Sequence, residues 1–206
     1  NYYDLSQKEN IRWQMKLAKE YGIDRFAIYQ YYSCGNKLLE IPLELIRDDP
    51  TLDLPFYLYW ANESWRKTWF GQDNKIVWEQ KYGTELDWRA QFDYCLQYFK
   101  DSRYIKIDGK PVYAIYNAWD IPNQNRFLSL WDEWAREAGL PGIYFVKTIG
   151  RHEKDECGRF SARVTREPNY TFAYGEKLFE KIWRVARTRT IDFINTIFIL
   201  KKGKGI

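Results

Sequence analysis

The feature that most constrains this chain is the alternation of short β-rich apolar runs with stretches of helical periodicity. The runs "RFAIYQYY" (25–32), "FYLYW" (56–60), "VYAIY" (112–116), "IYFVK" (143–147) and "ARVTR" (162–166) read as strands. Between them lie helical signals. Ser6 to Glu9 reads as a capping box, followed by Ile11, Met15 and Ala18 at helical spacing and Gly22 as the stop. Pro42 to Arg47 is a second helix. Thr84 to Asp87 caps a third, with Trp88, Phe92, Cys95, Leu96 and Phe99 along one face, and 124–138 is a fourth, with the stripe Phe127, Trp131, Trp134, Ala138 and the stop Gly139. The Asp108-Gly109 step marks a hairpin turn.

Strands that alternate with helices pair in parallel through right-handed crossovers. Two α/β architectures satisfy this, an open doubly wound sheet and a (β/α) barrel. No GxGxxG or Walker loop follows any strand, which weakens the first. Polar and aromatic residues collect at strand carboxyl ends (Tyr31, Trp60 to Glu63, Tyr116-Asn117, Lys147, Glu167), where a barrel keeps its chemistry. The runs amount to five or six strands, fewer than a barrel's eight.

The aromatic share, 19% with 10 Trp and 17 Tyr, favours a binding surface over plain packing. The net charge of +4 is uneven: eight Lys/Arg against three Asp/Glu from Glu176 onward leave the rest at −1. A nucleic-acid-binding body would carry its own basic face, so no nucleic-acid partner is expected. Ile191 to Leu200 is apolar but short and interrupted by Asp192 and Asn195, so no membrane span is expected. Cys34, Cys95 and Cys157 lack metal-ligand spacing and read as reduced thiols of a cytoplasmic protein. Asn1 is not a translation start, so the sequence reads as a piece of a longer chain, and an exported form stays open.

His152 is the single histidine. A His-rich metal site is therefore excluded, a nucleophilic triad could rest only on His152, and no metal or other cofactor is expected. Proton transfer then falls to carboxylates. Glu63, in "WANESW", follows a strand end, where an indole-rich pocket would desolvate it and suit it to general acid work. The bland alternative is an ion pair with Arg66 or Lys67. Glu167, which Pro168 holds extended, is the second candidate, against an ordinary surface ion pair. Two carboxylates at one rim are the common apparatus of glycosidic bond cleavage. Trp60, Trp65 and Trp69 are candidate sugar platforms, with Trp60 also a candidate for the core. Asn62, Tyr31 and Tyr116 complete the expected substrate-binding set, and Asp73 and Gln80 fall in a polar loop expected to be solvent-exposed.

"YYDLS", "GNKLLEIPLE", "FYLYWANESW", "EQKY", "YFKDSRYIKIDGKPVYAIY", "AGLPGIYFV" and "REPNY" occur in the order of the WbsX-like family, which the chain resembles from Asn1 to Tyr174. That family is similar to glycoside hydrolase family 99 and is associated with polysaccharide and lipopolysaccharide biosynthesis. The resemblance implies a (β/α)8 TIM-type barrel acting on a glycan, partial here because the family's first and last strands lie outside the matched blocks. Residues 1–175 would form the partial barrel and 176–206 a basic, helical C-terminal segment. Such a barrel exposes sheet edges and would self-associate. "WANESW" resembles the family's WANENW, with Ser64 in place of Asn. In family 99 a Glu-Pro-Tyr-Glu element carries two catalytic carboxylates. Glu167-Pro168 matches its first half, but residue 170 is Tyr, so the second carboxylate does not carry over. The primary expectation is paired-carboxylate chemistry by Glu63 and Glu167. Its alternatives are a glycosyltransferase using an activated sugar donor and an inactive glycan-binding remnant.

Overall fold

A computed structural model describes residues 3–67, 75–149 and 158–165. The elements run α1 (Lys8–Glu20), β1 (Phe26–Ser33), β2 (Asn36–Leu38), α2 (Ile41–Asp48), β3 (Phe56–Trp60), β4 (Trp65–Arg66), β5 (Ile76–Trp78), α3 (Glu85–Phe99), β6 (Lys106–Ile107), β7 (Lys110–Ile115), α4 (Gln124–Glu137), β8 (Tyr144–Ile149) and β9 (Ala162–Thr165). The chain divides into two units. One holds 1–148 with 155–164; the other holds 149–154 with 165–206 and lies almost wholly outside the described residues.

Local chemistry explains most boundaries. Gly22 (φ 77°) and Gly139 (φ 84°) close α1 and α4 in left-handed conformation. The Ile23 and Leu140 N–H groups reach back to Ala18 O and Ala135 O at 2.8 and 2.9 Å, satisfying carbonyls that the helix leaves open. At α3 the Asp87 carboxylate accepts from the Thr84 N–H at 2.7 Å and its hydroxyl at 2.9 Å. Asp108 (φ 51°) and Gly109 (φ 74°) form the tight turn that pairs β6 with β7. The box expected at Ser6 does not form. The Asp4 carboxylate takes the Ser6 N–H at 2.8 Å, and this local turn leaves Gln7 as the residue before the helix.

The main sheet has the order β2-β1-β3-β7-β8-β9, with β6 beside β7. The β1–β3, β3–β7 and β7–β8 pairs are parallel. Every crossover advances in the same direction, so right-handed connections place α2, α3 and α4 on one face. A doubly wound sheet reverses at a switch point, and no reversal occurs among the described parallel strands. Among the described residues the sheet stays open, with β2 and β9 at its edges, and the closed eight-stranded barrel implied by the resemblance is not formed by them.

Register assigns the two faces. Phe56, Leu58 and Trp60 of β3 lie level with Tyr113 and Ile115 of β7 and Phe145 of β8, and pack under Phe92, Phe99, Phe127 and Trp131 of α3 and α4. Tyr29, Tyr57 and Tyr59 point to the opposite face. At the amino end of the sheet, Arg103 donates to Ile46 O (2.7 Å), Leu52 O (2.8 Å) and Asp49 O (3.0 Å), and pairs with Asp101 at 2.6 Å. A guanidinium thus satisfies carbonyls at the negative end of short α2 and the turn after it. Both partners are mostly buried, with side-chain exposures of 12% and 13%.

Arg103→Ala should lower stability by about 3 kcal/mol, since it strands a buried carboxylate and several carbonyls; urea denaturation at unchanged slope checks this. The Arg103 hydrogen bond, outweighing burial, holds Asp101 below its ordinary 3.8. Its contribution is therefore complete above 3.8 and lost as pH falls through the lower folded value. The stability gap between wild type and Asp101→Asn should be constant at neutral pH and narrow on acidification.

Candidate functional site

The last backbone bond between β3 and β7 runs from the Tyr116 N–H to Trp60 O at 3.0 Å. Beyond it Asn62, with no solvent exposure, extends the ladder through its side chain. Its Oδ1 accepts the Asn117 N–H at 2.7 Å and its Nδ2 donates to Asn117 O at 2.7 Å and to the Tyr82 hydroxyl at 3.0 Å. Tyr82 donates in turn to Asn62 O at 3.2 Å, and burial pushes its phenol up to about 12, so it stays a donor. A carboxamide has the donor and acceptor of a peptide group, which lets it act as one more rung. Asn62, expected on the substrate, is instead a buried latch between two loops.

Trp60 is also corrected. It lies in the helix-side register with Phe56 and Leu58, donates Nε1–H to Tyr32 O at 3.1 Å, and stacks on Phe127 at 5.7 Å. The period-two alternation of β3 buries it and turns Tyr59 outward.

Just past the latch the chain bends, with the Glu63 N–H bonded to Ala61 O at 3.0 Å, and the Glu63 side chain stands in solvent. Among the described residues, the desolvated indole pocket expected around it is not formed, and Glu63 is exposed. It makes no ion pair with Arg66 or Lys67 among the described residues. Trp65, half-buried, meets Tyr31 edge-on at 5.0 Å and 79°. The Tyr31 phenol is raised by burial first, then by Tyr29, then by the Glu63 carboxylate, so Glu63 and Tyr31 share one electrostatic neighbourhood. Tyr29 stacks on Tyr59 at 4.9 Å, and Tyr59 tilts against the nearly buried Tyr116 at 6.2 Å. Tyr59 and Thr148 share a hydroxyl hydrogen bond. A series of rings from Trp65 to Tyr116 therefore crosses the sheet face opposite the helices. Trp69, Glu167, His152 and Asp73 lie outside the described residues.

Segment 79–82 is stitched across the strand ends. The Gln80 N–H donates to Ser64 Oγ at 2.9 Å, the Lys81 N–H to Ser33 Oγ at 2.8 Å, and Ser33 to Glu79 O at 2.9 Å. Gln80 Nε2 donates to Tyr32 O at 3.1 Å, so Gln80 is a half-buried strap residue rather than a solvated one. Sequence reasoning missed Ser33, Ser64 and Tyr82; the "EQKY" block was the signal. It also missed Trp119, 47% exposed on the turn Ala118–Asp120 after β7, which the argument applied to Trp65 would have found. Among the described residues no group of three or more His, Cys, Asp or Glu could hold a metal ion, and no helix is long and apolar enough to cross a membrane.

A largely parallel sheet wound in one direction, with aromatic residues and a carboxylate on its carboxyl-end loops, defines a mixed α/β protein. A family model described as "Glycosyltransferase WbsX" matches residues 1–198, and the chain belongs to that family. Proteins described as uncharacterized protein WxcX, from two strains of Xanthomonas campestris pv. campestris, are 30% identical over 170 residues. The match covers 82% of this chain, which spans 24% of the length of those relatives. A solved glycoside hydrolase-like protein superimposes with a TM-score of 0.52 at 14% identity, over 72% of this chain and 46% of that one, in agreement with the fold above. A family 99 endo-α-mannosidase from Bacteroides thetaiotaomicron aligns with a TM-score of 0.43 at 14% identity, over 71% of this chain and 39% of its own.

Asn62→Leu keeps the volume but strands the Asn117 N–H and carbonyl, so stability should fall by about 2–4 kcal/mol. Hydrogen exchange at Asn117 and Ala118 should accelerate more than in the Phe56–Trp60 strand.

Proposed function

We propose that this chain forms the sugar-handling rim of a carbohydrate-active enzyme that acts on glycosidic bonds of a bacterial surface polysaccharide or oligosaccharide. The observation that carries the reading is the solvated Glu63, without an ion pair among the described residues, beside the Trp65–Tyr31 pair at the carboxyl end of β3. Indole and phenol rings suit the C–H faces of a sugar, and a carboxyl group next to them is placed for proton transfer. Glu63 and Glu167 are the proposed pair. One donates a proton to the glycosidic oxygen as the bond to the anomeric carbon breaks. The other takes a proton from the incoming water or acceptor hydroxyl, or itself attacks the anomeric carbon.

The family's description favours a second reading, transfer from an activated sugar donor, in which the donor's phosphate leaves and Glu63 deprotonates the acceptor hydroxyl. Tyr170, where family 99 has a glutamate, favours a third, in which glycan is bound but not turned over.

Incubation with a panel of bacterial surface polysaccharides, with and without sugar nucleotides, tests all three. Glu63→Gln should lower turnover about 100-fold or more while sparing binding. Trp65→Ala should weaken binding about tenfold. Consumption of a sugar nucleotide assigns transfer, and release of reducing ends without one assigns hydrolysis. Binding that persists without turnover in wild type leaves the binding module, and unchanged turnover in Glu63→Gln removes Glu63 from the chemistry.

A further inference from the structure

The loop between β3 and α3 carries a two-stranded ribbon in which Trp65 lies opposite Trp78 and Arg66 opposite Ile76. The register shift between Trp65 and Arg66 leaves Val77 as an extra residue, a bulge of the kind that re-aims side chains near binding sites. The ladder continues one step outward, where the Lys67 N–H donates to Lys75 O at 2.9 Å. Lys67 and Lys75 are therefore directly opposed on the ribbon face that carries Trp65 and Trp78. Like charges so placed repel and destabilise a ribbon. Both lysines are exposed, and among the described residues neither has a carboxylate within ion-pair distance. Of the described acidic neighbours, Glu79 pairs with Lys81 at 3.1 Å and Glu63 makes no ion pair among the described residues, while Asp73, two residues before Lys75, lies outside them.

Two ammonium groups with no carboxylate partner among the described residues, beside half-buried indoles on one face, match a ligand with an apolar sugar ring and a negative charge. We propose that this face of the ribbon binds an anionic sugar, with Trp65 against the ring and Lys67 and Lys75 on its acidic group. The proposal rests on the glycan reading above and narrows its substrate class. The charge has two possible sources, the carboxylate of a uronic acid in the polysaccharide or the diphosphate of a sugar-nucleotide donor. Glu63, two residues before Trp65, then faces the sugar from the sheet side while the lysines hold its charged group.

Titration of the 206-residue chain with hexagalacturonate, UDP-glucose and neutral maltohexaose tests this. One of the two anions should bind more tightly than maltohexaose, with affinity falling as salt rises. The double variant Lys67→Gln/Lys75→Gln should lose about tenfold or more in that affinity. Lys67→Arg/Lys75→Arg should retain it, and Lys16→Gln on α1 should leave it unchanged. The melting temperature of the double variant should not fall, because removing the repulsion costs no contact. Preference for hexagalacturonate assigns an acidic glycan, and preference for UDP-glucose assigns the donor. Equal affinity of wild type and double variant for both anions overturns the inference, as does a wild type that prefers maltohexaose. In that last case Trp65-dependent binding of maltohexaose would leave the broader glycan reading standing, whereas absence of any sugar binding ends both.

Discussion

Trp131 of α4 is fully buried and makes ring contacts with Phe92 and Phe99 of α3, Phe127 of its own helix, Tyr113 of β7 and Phe145 of β8. It is where two helices and two strands meet. Such rings supply large apolar area, and each pair adds about 0.5–1.5 kcal/mol beyond burial. Its indole N–H has no hydrogen-bond partner among the described residues, so the site trades a hydrogen bond for close aromatic packing. With the helix side of the sheet filled in this way, the winding direction is fixed, because every crossover must return over the same face.

The two ends of the sheet then divide their tasks. At the amino end Arg103 gathers the carbonyls at the end of α2 and the Asp101 carboxylate, a fully satisfied charge with stability as its evident role. Under the helices, Gln30 accepts from the Tyr113 hydroxyl at 2.9 Å and donates to Cys95 Sγ at 3.2 Å, and burial pushes that thiol up to about 12. Cys95 is thus a neutral packing group. At the carboxyl end the latch of Asn62 on Asn117 and the strap at 79–82 consume the polar groups that face inward. What remains outward is a different set: Glu63, Trp65, Lys67, Lys75 and Trp119. Rigid support below holds these outward groups in place.

Much of this organisation was legible before any coordinates. The Asp-Gly turn, the glycine stops and the Thr84 to Asp87 box act within four or five residues, and each formed as its chemistry dictates. Ser6 departed because a nearer acceptor, Asp4, competed for the same N–H group. For the candidate site, the sequence put Trp60 and Asn62 on the substrate, and the structure buries both. Trp60 and Asn62 look like ligands by type, but strand alternation turns one inward and the missing rung between β3 and β7 recruits the other.

The amino-acid sequence by itself determined that strands and helices alternate, where most of them begin and end, and that carboxylates and indoles rather than histidine carry the candidate chemistry. These follow from periodicity, turn residues and composition, which are local. Only the tertiary structure set the order of the strands and their single direction of winding, separated buried from presented residues within "WANESW", and set Lys67 opposite Lys75. Each of those depends on pairing between segments distant in sequence or across a bulge, and register across such pairs is fixed by packing that no single stretch encodes.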